Sequence, residues 1–184
     1  MSMILRPDIE PINTARITLI AAVAVSEAIR DVTGLSARIK WPNDVLINGY
    51  KASGILTEMK AEQDEVDFII LGIGINVNIA KKDLPKGATS LKEELGSVVS
   101  KVEVAQKTLE LFESHYAGFK ANFQGVMDEW RELSDTLGCR VRAHVHGEVL
   151  EGQALDIDDN GGLIVRLDTG FNKHILSGDV ELVK

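Results

Sequence analysis

A single cysteine, Cys139, leaves no partner for an internal disulfide and no thiolate set for a multi-cysteine zinc site. Alone it reads as a small buried hydrophobe, and its isolation suits a reducing, cytoplasmic setting. Basic residues are outnumbered by acidic ones, 20 against 28, for a net charge of −8, and no basic stripe runs along the chain. Affinity for a phosphate backbone rests on such stripes, so nucleic-acid binding is excluded as the main activity. No run approaches the roughly 20 apolar residues that span a bilayer. The opening MSMILRPDIEP is not a signal peptide, because Arg6 and Pro7 interrupt a short apolar stretch. A glycine-rich loop ending in Lys-Ser or Lys-Thr is missing, which excludes a P-loop. Internal repeats and low-complexity tracts are missing too.

What is present is a chain of 184 residues, 45% hydrophobic and 26% charged, enough for one good core with a small satellite. SMILRP reads as a strand already inside a domain. Asn13 to Val32 reads as a core helix: Asn13 or Thr14 caps it, Gly34 ends it, and Ile17, Ile20, Ala21, Ala24 and Ala28 recur at helical spacing. Ala37 to Trp41 is a strand that Pro42 terminates. Val45 to Ile47 and Tyr50 to Lys60 form a hairpin around Asn48-Gly49, a pair that tolerates the positive φ of a type I′ turn. Ala61 to Glu65 reads as a polar turn. Asp67 to Ile75 is nearly all apolar and reads as a central strand buried on both faces, with Gly72 and Gly74 on one side of it. Capping boxes at Ser90/Glu93 and Ser100/Glu103 open a short and a longer helix. Leu109, Phe112, Tyr116 and Phe119 supply the apolar side of the second, and Gly125 to Leu133 reads as a further helix. From Gly138 the pattern alternates every second residue between glycines, as in a small antiparallel barrel. The expected fold is α+β, with a domain over residues 1–137 and a barrel over 138–184.

Candidate chemistry concentrates between Lys40 and Asn78. Lys51 follows the Asn-Gly turn and precedes Gly54, a glycine that marks close approach of a ligand or backbone; it is either a solvated strand-end lysine or a point charge for a carboxylate or phosphate. Asn43-Asp44 either makes a turn with its own backbone or is presented rigidly by Pro42. Asn76 either caps the strand or reads an amide or base edge. Gly72-Ile-Gly74 lacks the third glycine and the following helix of a dinucleotide fingerprint. His144 and His146 share a strand face without a third ligand, so no metal site is expected.

Together, KWPND at 40–44, K-x-x-G-I-L at 51–56, G-x-G-I-N-V-N at 72–78 and the Trp130–Gly138 segment WRELSDTLG resemble biotin protein ligase. The resemblance implies a class II synthetase-like catalytic domain, truncated at its N-terminus, followed by an SH3-like barrel. It implies biotin and MgATP as substrates, biotinoyl-5′-AMP as intermediate, and transfer to a lysine of the biotin carboxyl carrier protein of acetyl-CoA carboxylase. It assigns Lys51 to the biotin carboxylate or acyl-phosphate and Asp44, beside Asn43, to the reacting centre. Gly54 and Ile55 are to border biotin, and Gly72, Gly74 and Asn76 to line the adenylate pocket, with Lys40 and Trp41 in support. A homodimer through the catalytic sheet is expected. The family's GRGRxGR loop lies upstream of the SMILRP strand and does not occur in these residues, nor does an N-terminal winged helix. The expectation is therefore a C-terminal fragment, or a misplaced start, with impaired activity and no repressor function. A non-catalytic dimerising module and a lipoate ligase are the alternatives.

Overall fold

The computed structural model describes residues 1–62, 65–119, 123–145 and 147–183. Five antiparallel strands form the first sheet in the order β1-β5-β4-β3-β2: β1 (Ser2–Leu5), β2 (Ala37–Lys40), β3 (Asp44–Ile47), β4 (Tyr50–Glu62) and β5 (Glu65–Ile75). Helix α1 (Thr14–Thr33) lies on one face of this sheet, and α3 (Lys101–Ala117) and α4 (Phe123–Leu133) pack on the helix's far side. The short α2 (Leu91–Leu95) sits near the sheet's end. The chain is thus an α+β fold.

Being sandwiched explains the composition of α1. From Ile17 to Ile29 all but Thr18 and Glu27 are buried, because neither side faces water. With the short 3₁₀ turn ahead of it, Pro11–Thr33 is long and apolar enough to cross a bilayer, which corrects the expectation that no such run exists. Its burial between sheet and helices makes it a core helix. The Asn13 side chain makes no capping bond, because the chain enters α1 through that 3₁₀ turn; Gly34 closes the helix at φ 72°. The serine half of both boxes forms: Ser90 accepts from the Glu93 amide and Ser100 from the Glu103 amide.

The hairpin turn has positive φ at both Asn48 (51°) and Gly49 (79°), as its sequence demands. Three sequence expectations need correction. The strand β5 is buried on one face only, through Ile69, Leu71 and Ile73, because no helix covers the other face among the described residues. Of the turn expected at 61–65, Ala61 and Glu62 belong to β4 and Glu65 to β5, while residues 63–64 lie outside the described residues. Leu109 is 43% exposed, whereas Phe112 and Phe119 are buried: α3 turns Val104, Thr108 and Phe112 inward and leaves Leu109 on its outer flank.

A second antiparallel sheet follows, in the order β10-β6-β7-β8-β9: β6 (Arg140–Val145), β7 (Glu148–Ile157), β8 (Leu163–Leu167), β9 (Asn172–Ile175) and β10 (Asp179–Leu182). Val141, Ala154, Val165, Ile175 and Val180, one from each strand, are all buried, so even the edge strands face a common core. Arginines of α1 and α4 tie this sheet to the first layer, and an arginine of β2 fixes the end of α4 from which it follows. Arg38 donates to the carbonyls of Glu132 and Ser134, Arg131 reaches Asp156, and Arg16 reaches the Asp159 carbonyl.

Candidate active site

Strand register assembles the residues singled out above. Lys40, Asp44, Gly54 and Gly74 are successive cross-strand partners, forming one row across the uncovered face. The next row holds Leu56, Gly72 and Ser2. Three glycines in adjacent rows leave a floor without side chains, edged by Leu56 at 60% exposure and, a row further, Ile4 at 70%.

Strict alternation along β4 would send Lys51 and Gly54 to opposite faces, because they are three residues apart. A β-bulge decides otherwise. Val45 pairs with Ser53 but Leu46 pairs with Lys51, so Ala52 is the extra residue, and Lys51 joins the face of Asp44 and Gly54. Its ammonium lies 2.5 Å from Asp44 Oδ1, with the lysine half exposed and the aspartate mostly buried. The lysine arm lies across Gly54: a Cβ there would stand 3.1 Å from Lys51 Cε and 3.2 Å from Nζ. The close approach that Gly54 permits is therefore made by the chain's own lysine. A cation so anchored, beside a flat glycine floor, can neutralise a bound carboxylate or phosphate.

Asn43 extends the pairing past the end of β3. Its Nδ2 donates to the Ile55 carbonyl at 2.7 Å and its carbonyl accepts from the Ile55 amide at 2.9 Å. Ile55 thereby spends its outward backbone groups on Asn43 and buries its side chain on the α1 face. Trp41 is buried, joined to Pro42 by a cis peptide; its amide donates to Thr136 Oγ1 and its indole to the Gly161 carbonyl, both at 2.9 Å. Lys40 turns its ammonium toward Asp179 of β10, 3.8 Å away. These two residues hold the second sheet against the Asn43-Asp44 turn. Asn76 donates through Nδ2 to the Thr89 carbonyl at 3.0 Å.

The residues unanticipated from sequence are Thr89, Glu94, Thr136 and Gly161. Thr89 and Ser90 had a visible signal only as a helix cap, and Thr136 and Gly161 act through contacts 95 and 120 residues distant in sequence from Trp41. A cleft of about 300 Å³ opens beside Trp41, Pro42 and Asn43, walled by Thr14, Thr18 and Leu176–Gly178.

His144 is half exposed and near Glu181; His146 lies outside the described residues. A different trio, Glu27 of α1, His115 of α3 and Glu129 of α4, comes together behind the sheet. Its carboxylates address opposite ring nitrogens, Glu27 at Nε2 (2.7 Å) and Glu129 at Nδ1 (3.6 Å), which is the geometry of an ion-paired clamp. The His115 pKa is raised, chiefly by the Glu27 hydrogen bond, and that of Glu129 is raised by burial.

Comparison with known proteins gives two family matches: residues 1–76 match the biotin/lipoate A/B protein ligase family, and residues 136–183 the biotin protein ligase C-terminal domain. The bifunctional ligase/repressor BirA of Bacillus subtilis is 43% identical over 99% of this chain, which spans 57% of that relative's length. The biotin–[acetyl-CoA-carboxylase] ligase of Paracoccus denitrificans is 32% identical over 92% of this chain and 74% of its own. The biotin protein ligase of Aquifex aeolicus, solved in complex with biotin and ATP, superposes with a TM-score of 0.84 at 28% identity, over 99% of this chain and 77% of that one.

Proposed function

The chain belongs to the biotin protein ligase family, and on that premise we propose that it forms the floor of a site joining biotin to ATP and passing the biotinoyl group to a carrier lysine. The observation that carries this reading is the Lys51 ammonium, braced by Asp44 and laid over Gly54 beside the glycine floor.

In the first step a biotin carboxylate oxygen attacks the α-phosphorus of MgATP, and the bond to the β-phosphate oxygen breaks to release magnesium pyrophosphate. Two anions must meet, so a fixed cation lowers the barrier; Lys51 fills that role, held in place by its carboxylate partner. Asn43, through its hold on Ile55, and Gly54 shape the biotin side. Gly72 and Gly74 let a flat adenylate lie close, and the carbonyl end of Asn76 accepts from the adenine amino group. In the second step a neutral amine of the carrier lysine attacks the acyl carbon and AMP departs. Asp44 takes the proton as Lys51 shifts toward the leaving phosphate.

The carrier is the biotin carboxyl carrier protein of acetyl-CoA carboxylase, a reading supported by the names of the relatives. Residues 1–137 are the catalytic domain and 138–184 an SH3-like barrel, with Lys40 and Trp41 bracing the two. Among the described residues, β4 from Leu56 to Glu62 pairs with β5 alone, and this free edge supports a homodimer through the catalytic sheet. A cytoplasmic setting follows from the substrates and suits the lone Cys139.

The test is biotin-dependent pyrophosphate release by this chain, with mass detection of biotin on a purified carrier domain. Lys51→Ala should depress both severely. Lipoate replacing biotin as the better substrate would shift the reading to the lipoate branch. Because the chain spans 57% of its Bacillus relatives, the assay is repeated with the upstream part of the Bacillus subtilis relative supplied. No turnover and no biotin or ATP binding by calorimetry in either form would leave a non-catalytic dimerising module.

A further inference from the structure

We propose that Thr89 is a positioning residue: its hydroxyl bond to Glu94 holds Lys51 and Asn76 in mutual register, an inference that rests on the ligase reading above. Strand β5 ends at Ile75, so it does not reach Lys51; the neighbour on that side is the 87–89 strap. Lys51 donates its amide to the Gly87 carbonyl at 3.0 Å, and its carbonyl accepts from the Thr89 amide at 2.9 Å. The Thr89 carbonyl accepts from Asn76 Nδ2 at 3.0 Å. One buried residue therefore bonds directly to the lysine on one side and the asparagine on the other.

Backbone bonds at a strand end fray unless the strap itself is anchored. The anchor is Glu94 of α2. Thr89 Oγ1 donates to Glu94 Oε1 at 2.5 Å, and Asn48 Nδ2, from the hairpin turn preceding Lys51, donates to Oε2 at 2.6 Å. One carboxylate thus ties the strap to the turn on either side of Lys51, and both bonds are charge-assisted. The Ser90 cap of α2, bonded to the Ile79 carbonyl, holds the helix that presents Glu94. The Leu91 and Lys92 amides also donate to the Asn76 and Val77 carbonyls, which keeps the start of α2 beside the end of β5, and Ala88 and Leu91 are buried. The Glu94 carboxylate adds the side-chain link from the strap to the hairpin turn that precedes Lys51.

Three variants decide the matter. Thr89→Val keeps the shape and both backbone bonds and deletes the hydroxyl; Thr89→Ser keeps the hydroxyl; Glu94→Gln weakens the acceptor. Loss of a bond to a charged group predicts a fall of about tenfold in kcat/KM for ATP in Thr89→Val. Most of it falls in kcat if Lys51 is the group displaced, and Thr89→Ser should restore the rate to within about twofold. In parallel, hydrogen exchange on the same proteins should find the Lys51 and Thr89 amides less protected in Thr89→Val and Glu94→Gln than in wild type. A purely structural anchor would lower the melting temperature and leave the kinetics of the folded protein unchanged. Wild-type kinetics in Thr89→Val, or a Thr89→Ser variant as slow as Thr89→Val, overturns the proposal. If the wild type releases no pyrophosphate and binds neither biotin nor ATP, alone or with the upstream part of the Bacillus subtilis relative supplied, the ligase reading fails on its own account. Exchange then judges the clamp alone, and unchanged protection at Lys51 and Thr89 rejects it.

Discussion

Replacing Gly54 with alanine separates stability from function at the centre of the site. Gly54 sits in ordinary strand backbone, without the positive φ that would strain a side chain. The new methyl would lie 3.1 Å from Lys51 Cε and 3.2 Å from Nζ, where carbon–carbon contact is comfortable only at about 3.5–4.0 Å. What it meets is the far end of a half-exposed lysine, not backbone, so the arm swings aside. Gly→Ala at a compatible position stabilises by about 0.4–1 kcal/mol through the unfolded chain. Disturbing a partly exposed ion pair costs about 0–1 kcal/mol. The two offset each other, leaving stability within about 1 kcal/mol of wild type and the melting temperature within about 4 °C. The cation, however, leaves its place, and loss of one preorganised electrostatic group slows a reaction by about 10²–10³-fold. The measurements are a thermal melt and biotin-dependent pyrophosphate release on the same preparation. Wild-type turnover in G54A would mean that the position of Lys51 over Gly54 is irrelevant to the chemistry. A melting point lowered by more than about 10 °C would mean that the clash is borne by the backbone after all.

The remaining predictions concern the scaffold. Trp41→Phe removes the indole donor to the Gly161 carbonyl and should cost about 1–3 kcal/mol in urea unfolding; an unchanged midpoint would show that this buried link is replaceable. Asn48→Ala puts an alanine at φ 51° and deletes the bond to Glu94, for a loss of about 2–4 kcal/mol by the same measurement. Gly152→Ala would drive a methyl into the Arg166 carbonyl across the β7–β8 pair and should unfold the second sheet, read as loss of its protected amides in hydrogen exchange. His115 has a folded-state pKa above its ordinary value, so its contribution is full below about pH 6.5 and fades as pH rises through the raised value. The melting-temperature gap between wild type and His115→Gln should therefore shrink from pH 6 to alkaline pH. Glu129, about half exposed, also has a raised pKa, so its ionisation works in the same direction, against stability as pH rises. A gap that widens with pH would refute the clamp.

Much of the fold was legible because it is locally encoded. Asn48-Gly49, Gly34, Pro42 and the two serine caps act through their own φ/ψ preferences or through side-chain bonds three residues away, and each appears where the pattern put it. The covered and uncovered faces of β5 were not legible, since a run of apolar residues does not say how many layers lie against it. Leu109 was misassigned for a related reason: helical spacing defines a stripe, and the neighbours choose which side of the stripe is buried. Lys40 and Trp41 carried visible motif positions, but their partners Asp179, Thr136 and Gly161 lie far along the chain.

By itself, then, the sequence determined which stretches become strand, turn or helix, and which residues reach one sheet, because those outcomes follow from local backbone preference and side-chain period. Tertiary structure alone decided the face on which Lys51 emerges. Two-residue alternation sends it away from Gly54; the bulge at Ala52, forced by the register between β3 and β4, brings it back to Asp44. The partners that carry the bulge are Leu46 with Lys51 and Val45 with Ser53, across the β3–β4 hairpin. No local pattern in K-x-x-G contains it.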